Sequence, residues 1–175
     1  MKRFPFILLL VGSWWTGTIH QVEAGGSKIT EDEAARLVAY HNQVRAEVGV
    51  APVVWSADLA RYAQEWADRI AASGKFEHRP SSEQLYGENL ATGSSPAYGL
   101  LEAAQGWYAE KALYRPKAPF TVSLLRAGHY TQMVWSTTTQ IGAGRAVFQK
   151  GPYQGWQIIV CNYAPRGNKV GTPAY

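Results

Sequence analysis

AGHYTQMVW, residues Ala127 to Trp135, is the stretch on which the reading of this chain turns. His129 stands behind Gly128 and ahead of a polar stretch containing Thr131 and Gln132, while Tyr130, Val134 and Trp135 around it have the character of core. A lone imidazole among positions of core character needs an explanation that this stretch does not itself supply. The remaining sequence has to show whether that histidine has partners.

Downstream of this stretch the pattern is that of strands. Ile141 to Phe148 reads as a strand with close-packing glycines, Gly151-Pro152 punctuates a turn, and Trp156 to Tyr163 is apolar on both alternating faces, so both faces should be covered. Upstream, Tyr114 to Ala127 contains Pro116 and Pro119 and reads as an irregular loop. A weaker helical pattern precedes it, starting near Pro96 and running through Leu100, Ala104 and Trp107 toward Ala112.

The first half is helical. Thr30-Glu31-Asp32-Glu33 has the form of a capping box, and Ala34, Leu37, Val38, His41, Val44 and Val48 follow at helical spacing until Gly49. A second helix follows Ser56 as N-cap, with Leu59, Ala63, Trp66 and Ile70 on one face, and stops at Ser73-Gly74. With a short extended piece at Pro52 to Val54, helices first and paired strands later predict an α+β fold. The expected form is a three-layer α-β-α sandwich around a small, mainly antiparallel sheet.

Met1-Lys2-Arg3, the apolar run Phe4 to Trp15 and the small residues around Val22-Glu23-Ala24 read as a signal peptide over 1–24, leaving one domain over 25–175. The expectation is a secreted protein, extracellular or periplasmic, with no transmembrane anchor after cleavage. The formal charge is +4, or +3 once Lys2, Arg3 and Glu23 are removed, with no Lys/Arg run, which argues against nucleic acid as a partner. Cys161 is the only cysteine and lies in an apolar strand pattern, so no internal disulfide forms and a buried, inert thiol is expected.

The residues that could carry chemistry come from separate segments. His41 falls on the apolar face of the first helix and reads as a core imidazole satisfied by its neighbours. His78 sits in a polar stretch after the second helix, with no packing task of its own. Glu88, in Tyr86-Gly87-Glu88-Asn89-Leu90, resembles a bend with polar side chains turned inward, and Glu110 follows Trp107 by three residues on the same helix. His78, Glu88, Glu110 and His129 could assemble a divalent-metal site, or equally a hydrogen-bonded cluster without metal; spacing does not decide between them. There is no G-x-S-x-G elbow, phosphate-binding loop or dinucleotide fingerprint.

These pieces, in this order, resemble the CAP superfamily of cysteine-rich secretory proteins, antigen 5 and pathogenesis-related 1 proteins, also called SCP domains. The matching residues are His41-Asn42-x-x-Arg45, Val54-Trp55, Ala63-x-x-Trp66-Ala67, His78, Tyr86 to Leu90, Trp107-Tyr108-x-Glu110, Gly128 to Trp135, and Val160-Cys161-Asn162-Tyr163-x-Pro165-x-Gly167-Asn168. The resemblance implies an α-β-α sandwich with a large open cleft lined by His78, Glu88, Glu110 and His129. It implies zinc or another divalent cation held weakly through His78 and His129, and a ligand loop over Leu113 to Arg126 in which Tyr114, Phe120, Leu124 and Leu125 could contact a sterol or fatty acid. Ala143, where many relatives carry cysteine, points to a disulfide-free, bacterial-type member.

The function expected from this resemblance is binding: a metal, a small apolar ligand or both, in defence or at a host or cell envelope, with any macromolecular partner unknown. The competing class is a metal-dependent, peptidase-like hydrolase in which Glu88 or Glu110 serves as the base.

Overall fold

The computed structural model describes residues 26–175. The signal-peptide assignment lies outside the described residues. Helix α1 (Glu31–Ala46) opens on a reciprocal cap: Thr30 Oγ1 accepts from the Glu33 N–H at 3.2 Å, and Glu33 Oε2 accepts from the Thr30 N–H at 2.9 Å. Strand β1 (Val54–Trp55) leads into α2 (Ala57–Ser73), capped by Ser56 and stopped by Gly74 in the left-handed conformation (φ 76°). Then come β2 (Gly87–Gly93), α3 (Leu100–Ala109), the short helix α4 (Gly128–Met133), β3 (Gln140–Val147) and β4 (Gln157–Ala164).

The four strands form one mixed sheet in the order β1-β3-β4-β2. The β1–β3 pair is parallel and the other two pairs are antiparallel, with Ile141 opposite Tyr163 and Glu88 opposite Asn162. Helix α2 covers one face of β3 and β4; α1, α3 and α4 pack together over the other. This is the α+β three-layer arrangement expected from the order of elements.

Strand alternation fills the two layers separately. Ala146, Phe148, Ile158 and Val160 meet Trp66 and Ile70 of α2, while Ile141, Ala143, Ile159, Cys161 and Tyr163 meet Leu37, Trp107 and Tyr130. The close approach of α2 is set by glycine. A Cβ on Gly142 would lie 2.3 Å from the Ala60 nitrogen, and one on Gly144 would lie 2.4 Å from the Gln64 backbone.

Arg45 joins layers that apolar packing alone would leave incomplete. Fully buried, its guanidinium donates to the carbonyls of Ala51, Met133, Trp135 and Thr138 at 2.7–3.0 Å. His41 is also fully buried, as its place on the apolar face predicts. Its Nδ1 faces the Leu37 carbonyl at 2.9 Å and its Nε2 the Tyr163 hydroxyl at 3.0 Å, and burial pulls it down to about 4, so it stays neutral. Cys161 is free and fully buried, and burial pushes its thiol up to about 12.

Several expectations need correction. The third helix does not begin near Pro96: Pro96 lies in a turn, and α3 starts at Leu100, where the Glu102 carboxylate accepts from the Gly99 N–H. The bend is confined to Tyr86; Gly87 to Leu90 opens the seven-residue edge strand β2. The expected loop ends in a 3-10 turn over Val122–Ala127, and the His129 segment is the short helix α4.

Candidate functional site

Glu88 and Asn89 are adjacent on β2, so alternation sends their side chains to opposite faces of the sheet edge. On one side Glu88 Oε1 accepts from His78 Nδ1 at 2.8 Å and from the Arg79 N–H at 3.1 Å. On the other, Asn89 Nδ2 donates to the His129 carbonyl at 3.1 Å and to the Tyr163 hydroxyl at 3.1 Å. One edge strand therefore positions both histidine segments, one from each layer.

His129 is held by a second carboxylate. Glu110 opens the 3-10 turn that continues α3. Its Oε1 lies 2.6 Å from His129 Nδ1, while Oε2 accepts from the backbone N–H groups of His129 and Tyr130 at 2.9 and 3.3 Å. The Trp107 ring lies against the imidazole with centroids 6.2 Å apart, and its indole N–H donates to the Leu90 carbonyl at 3.1 Å. A β2 carbonyl thus fixes the tryptophan that backs the histidine.

With Nδ1–H directed at a carboxylate in each pair, the lone pair of both imidazoles resides on Nε2. Neither Nε2 makes a hydrogen bond among the described residues. His78, Glu88 and His129 line an open cleft of about 400 Å3 together with Arg79, Gln132 and Arg166. Glu110 stands behind His129 and is not part of the lining. The side chain of Glu88 is fully buried and its Oε2 has no partner.

The four predicted residues thus form two imidazole–carboxylate pairs, with three of the four members reaching the cleft. No group of three or more His, Cys, Asp or Glu side chains among the described residues forms a metal shell. Of the four residues expected to face a ligand from the loop, two turn their side chains inward. Tyr114 and Phe120 are core side chains, Tyr114 against Tyr130 and Tyr175 and Phe120 against Trp135, whereas Leu125 is the loop residue at the cleft.

Sequence reasoning missed Arg79 and Gln132. The Arg79 guanidinium is sandwiched between the Tyr62 and Trp66 rings, 3.7 and 5.1 Å from their centroids. Gln132 accepts from the Gly167 N–H at 2.9 Å and so ties α4 to the C-terminal segment. Arg79 follows His78 directly, and a side chain able to stack on Trp66 and Tyr62 was the available signal. A larger hollow of about 890 Å3 opens at the other end of the sheet, lined by Tyr98, Val147 and Gln157. Its cations Lys28 and Arg145 already pair with Asp68 and Glu33, and it gathers no imidazole, so the chemistry resides in the smaller cleft.

A three-layer sandwich whose edge strand brings two imidazole–carboxylate pairs to one open cleft defines an SCP-type cleft protein. The chain belongs to the CAP (cysteine-rich secretory protein) family, whose model matches residues 38–163. It is 38% identical over 135 residues to pathogenesis-related protein 1C of Nicotiana tabacum, covering 77% of this chain and 76% of that one. It is 35% identical over the whole of both chains to pathogenesis-related leaf protein 4 of Solanum lycopersicum. Among solved structures, BmVAL-1 superposes with a TM-score of 0.72 at 25% identity, covering 88% of this chain and 86% of that one. NaASP2 with Zn2+ superposes with a TM-score of 0.72 at 22% identity over 89% and 90% of the two chains, a likeness of fold. The two curated relatives named here are plant proteins of the pathogenesis-related 1 type, whereas the missing disulfides had pointed to a bacterial-type member. No described helix is long and apolar enough to cross a membrane.

Proposed function

We propose that this CAP-domain protein is exported and that its cleft binds a divalent cation, zinc in preference, through Nε2 of His78 and Nε2 of His129. The observation that carries this reading is the fixed tautomer. Each imidazole has its Nδ1 committed to a carboxylate, the arrangement that orients and strengthens a histidine ligand for zinc. Two protein ligands leave the remaining positions to water or to a small ligand's oxygen, so the ion is exchangeable. A metal ion bound there would supply Lewis acidity.

Binding is favoured over hydrolysis because Glu110 spends both carboxylate oxygens on the His129 segment, and the Glu88 side chain, paired with His78, is fully buried, which leaves neither as an exposed base. The polar lining, in which Leu125 is the one large aliphatic side chain, favours a metal with a small polar ligand over a sterol or fatty acid as the cleft's occupant.

The test is calorimetric titration with zinc of the chain from Gly25 onward and of a His78→Ala/His129→Ala variant. Saturable one-to-one binding lost in the variant supports the reading. Equal binding by both proteins, or none by either, rejects it.

A further inference from the structure

All thirteen Asp and Glu residues lie at or before Glu110; from Lys111 to the C-terminus there are eight Lys and Arg and no acidic side chain. Such an asymmetry between the parts of a chain points to an anionic partner when the cations reach a common surface. Here the fold brings them together. The loop 113–127 and the C-terminal segment 166–175 are stitched along their length. Phe120 N–H donates to the Thr172 carbonyl, the Gly171 N–H donates to the Phe120 carbonyl, and Asn168 Nδ2 donates to the Gly128 carbonyl, all at 2.8–2.9 Å.

The joint surface carries Arg115, Lys117, Arg126, Arg166 and Lys169, all exposed. Among the described residues none of these five pairs with a carboxylate, whereas Lys28, Arg36, Arg61, Arg69 and Lys111 all do. Between the cations stand Leu113, Val122, Leu125 and Val170, which are 56–70% exposed and make up half of the eight exposed large hydrophobics among the described residues. Elsewhere on the loop the large apolar side chains Tyr114 and Phe120 are buried, so these aliphatics are not residues awaiting a core.

We infer that this face docks on the surface of a lipid bilayer containing anionic lipids. Cations interleaved with exposed aliphatics match a boundary where phosphate headgroups meet hydrocarbon, since burial of the aliphatics and attraction to the headgroups act together. A nucleic acid fits less well: single strands are gripped by exposed aromatic rings, and the rings of this loop are turned into the core. Leu125 and Arg166 also line the cleft, so docking sets the cleft mouth against the headgroups. The inference does not depend on the metal.

The test is co-sedimentation of the chain from Gly25 onward, which contains the whole described fold, with vesicles of phosphatidylcholine alone or mixed with phosphatidylserine. Binding is expected to the mixed vesicles only and to fall with salt. Each basic residue contributes on the order of fivefold to partitioning, so R115Q/K117Q/R126Q/K169Q should weaken it by at least roughly tenfold. Val122→Ser/Leu125→Ser should weaken it several-fold, while Lys75→Gln/Lys150→Gln, exposed cations away from this face, should bind as the parent does. Circular dichroism confirms that each variant is folded. Absent binding to the mixed vesicles, or binding unchanged by both surface variants, overturns the inference. So does a salt-sensitive affinity for duplex DNA equal to that for vesicles and indifferent to Val122→Ser/Leu125→Ser.

Discussion

The carboxylate of Glu110 holds His129 twice, through the imidazole Nδ1 at 2.6 Å and through the backbone N–H at 2.9 Å. One side chain thus fixes both the direction of the ring and the first turn of the helix that carries it. Glu110→Gln, which keeps an acceptor but loses the charge, should weaken zinc binding by about tenfold, and Glu110→Ala by up to about a hundredfold. The alanine variant should also lose about 1–2 kcal/mol of stability, because the first-turn N–H groups of α4 lose their acceptor. Calorimetry and thermal unfolding read the two effects separately.

The α2–sheet contact leaves no room for one methyl group at Gly144, where a Cβ would sit 2.4 Å from the Gln64 backbone. Because both sides of the contact are backbone, neither can turn aside. Gly144→Ala is expected to cost about 3 kcal/mol, at the upper end of overpacking effects. Urea unfolding of this variant should show a lower midpoint with an unchanged slope.

Arg45 donates to four carbonyls drawn from two stretches of chain, Ala51 and the run 133–138. Arg45→Met preserves the length but leaves those acceptors unpaired in the core, at a cost of about 3 kcal/mol or more. Arg45→Lys should rescue little of it, since an ammonium cannot span the planar fork. Chemical denaturation of both variants checks the ordering.

What the sequence made legible follows from how local the cause is. The caps at Thr30 and Ser56 and the stop at Gly74 act within a few residues, and both long helices begin where they were expected. The strand at Gly87–Gly93 was read as a bend because Glu88 and Asn89 hide its apolar alternation; those side chains are buried by partners that come from distant segments, at His78 and His129. The start of α3 was misplaced because Pro96 suits a first turn, but the Glu102 bond to Gly99 decides the boundary. His78, Glu88, Glu110 and His129 could be collected as residues without a packing task. Their division into two pairs could not be foreseen, since it depends on which layer each segment joins. Tyr114 and Phe120 were assigned to a ligand loop by resemblance, and only the neighbouring Tyr130, Tyr175 and Trp135 rings show why they face inward.

Burial lowers His41 from 6.5 to about 4. The unfolded chain therefore binds this proton more readily than the folded one. The stabilisation is complete above about pH 6.5 and is lost as the pH falls toward 4, about 3 kcal/mol in all. His41→Gln should be less stable at pH 7 yet show a flatter decline over that window. Unfolding free energies measured at intervals from pH 7 to about pH 4 test this, and equal slopes for the two proteins would refute the assignment.

The central claim is that His78 and His129 turn their free Nε2 atoms toward a single ion. Diffraction from crystals soaked in zinc, recorded on either side of the zinc absorption edge, addresses it directly. The account predicts one anomalous peak in the cleft, about 2.0–2.1 Å from both Nε2 atoms, with Glu88 and Glu110 still on the Nδ1 sides. A peak bound to only one of the two imidazoles, or zinc found only elsewhere on the molecule, would contradict it.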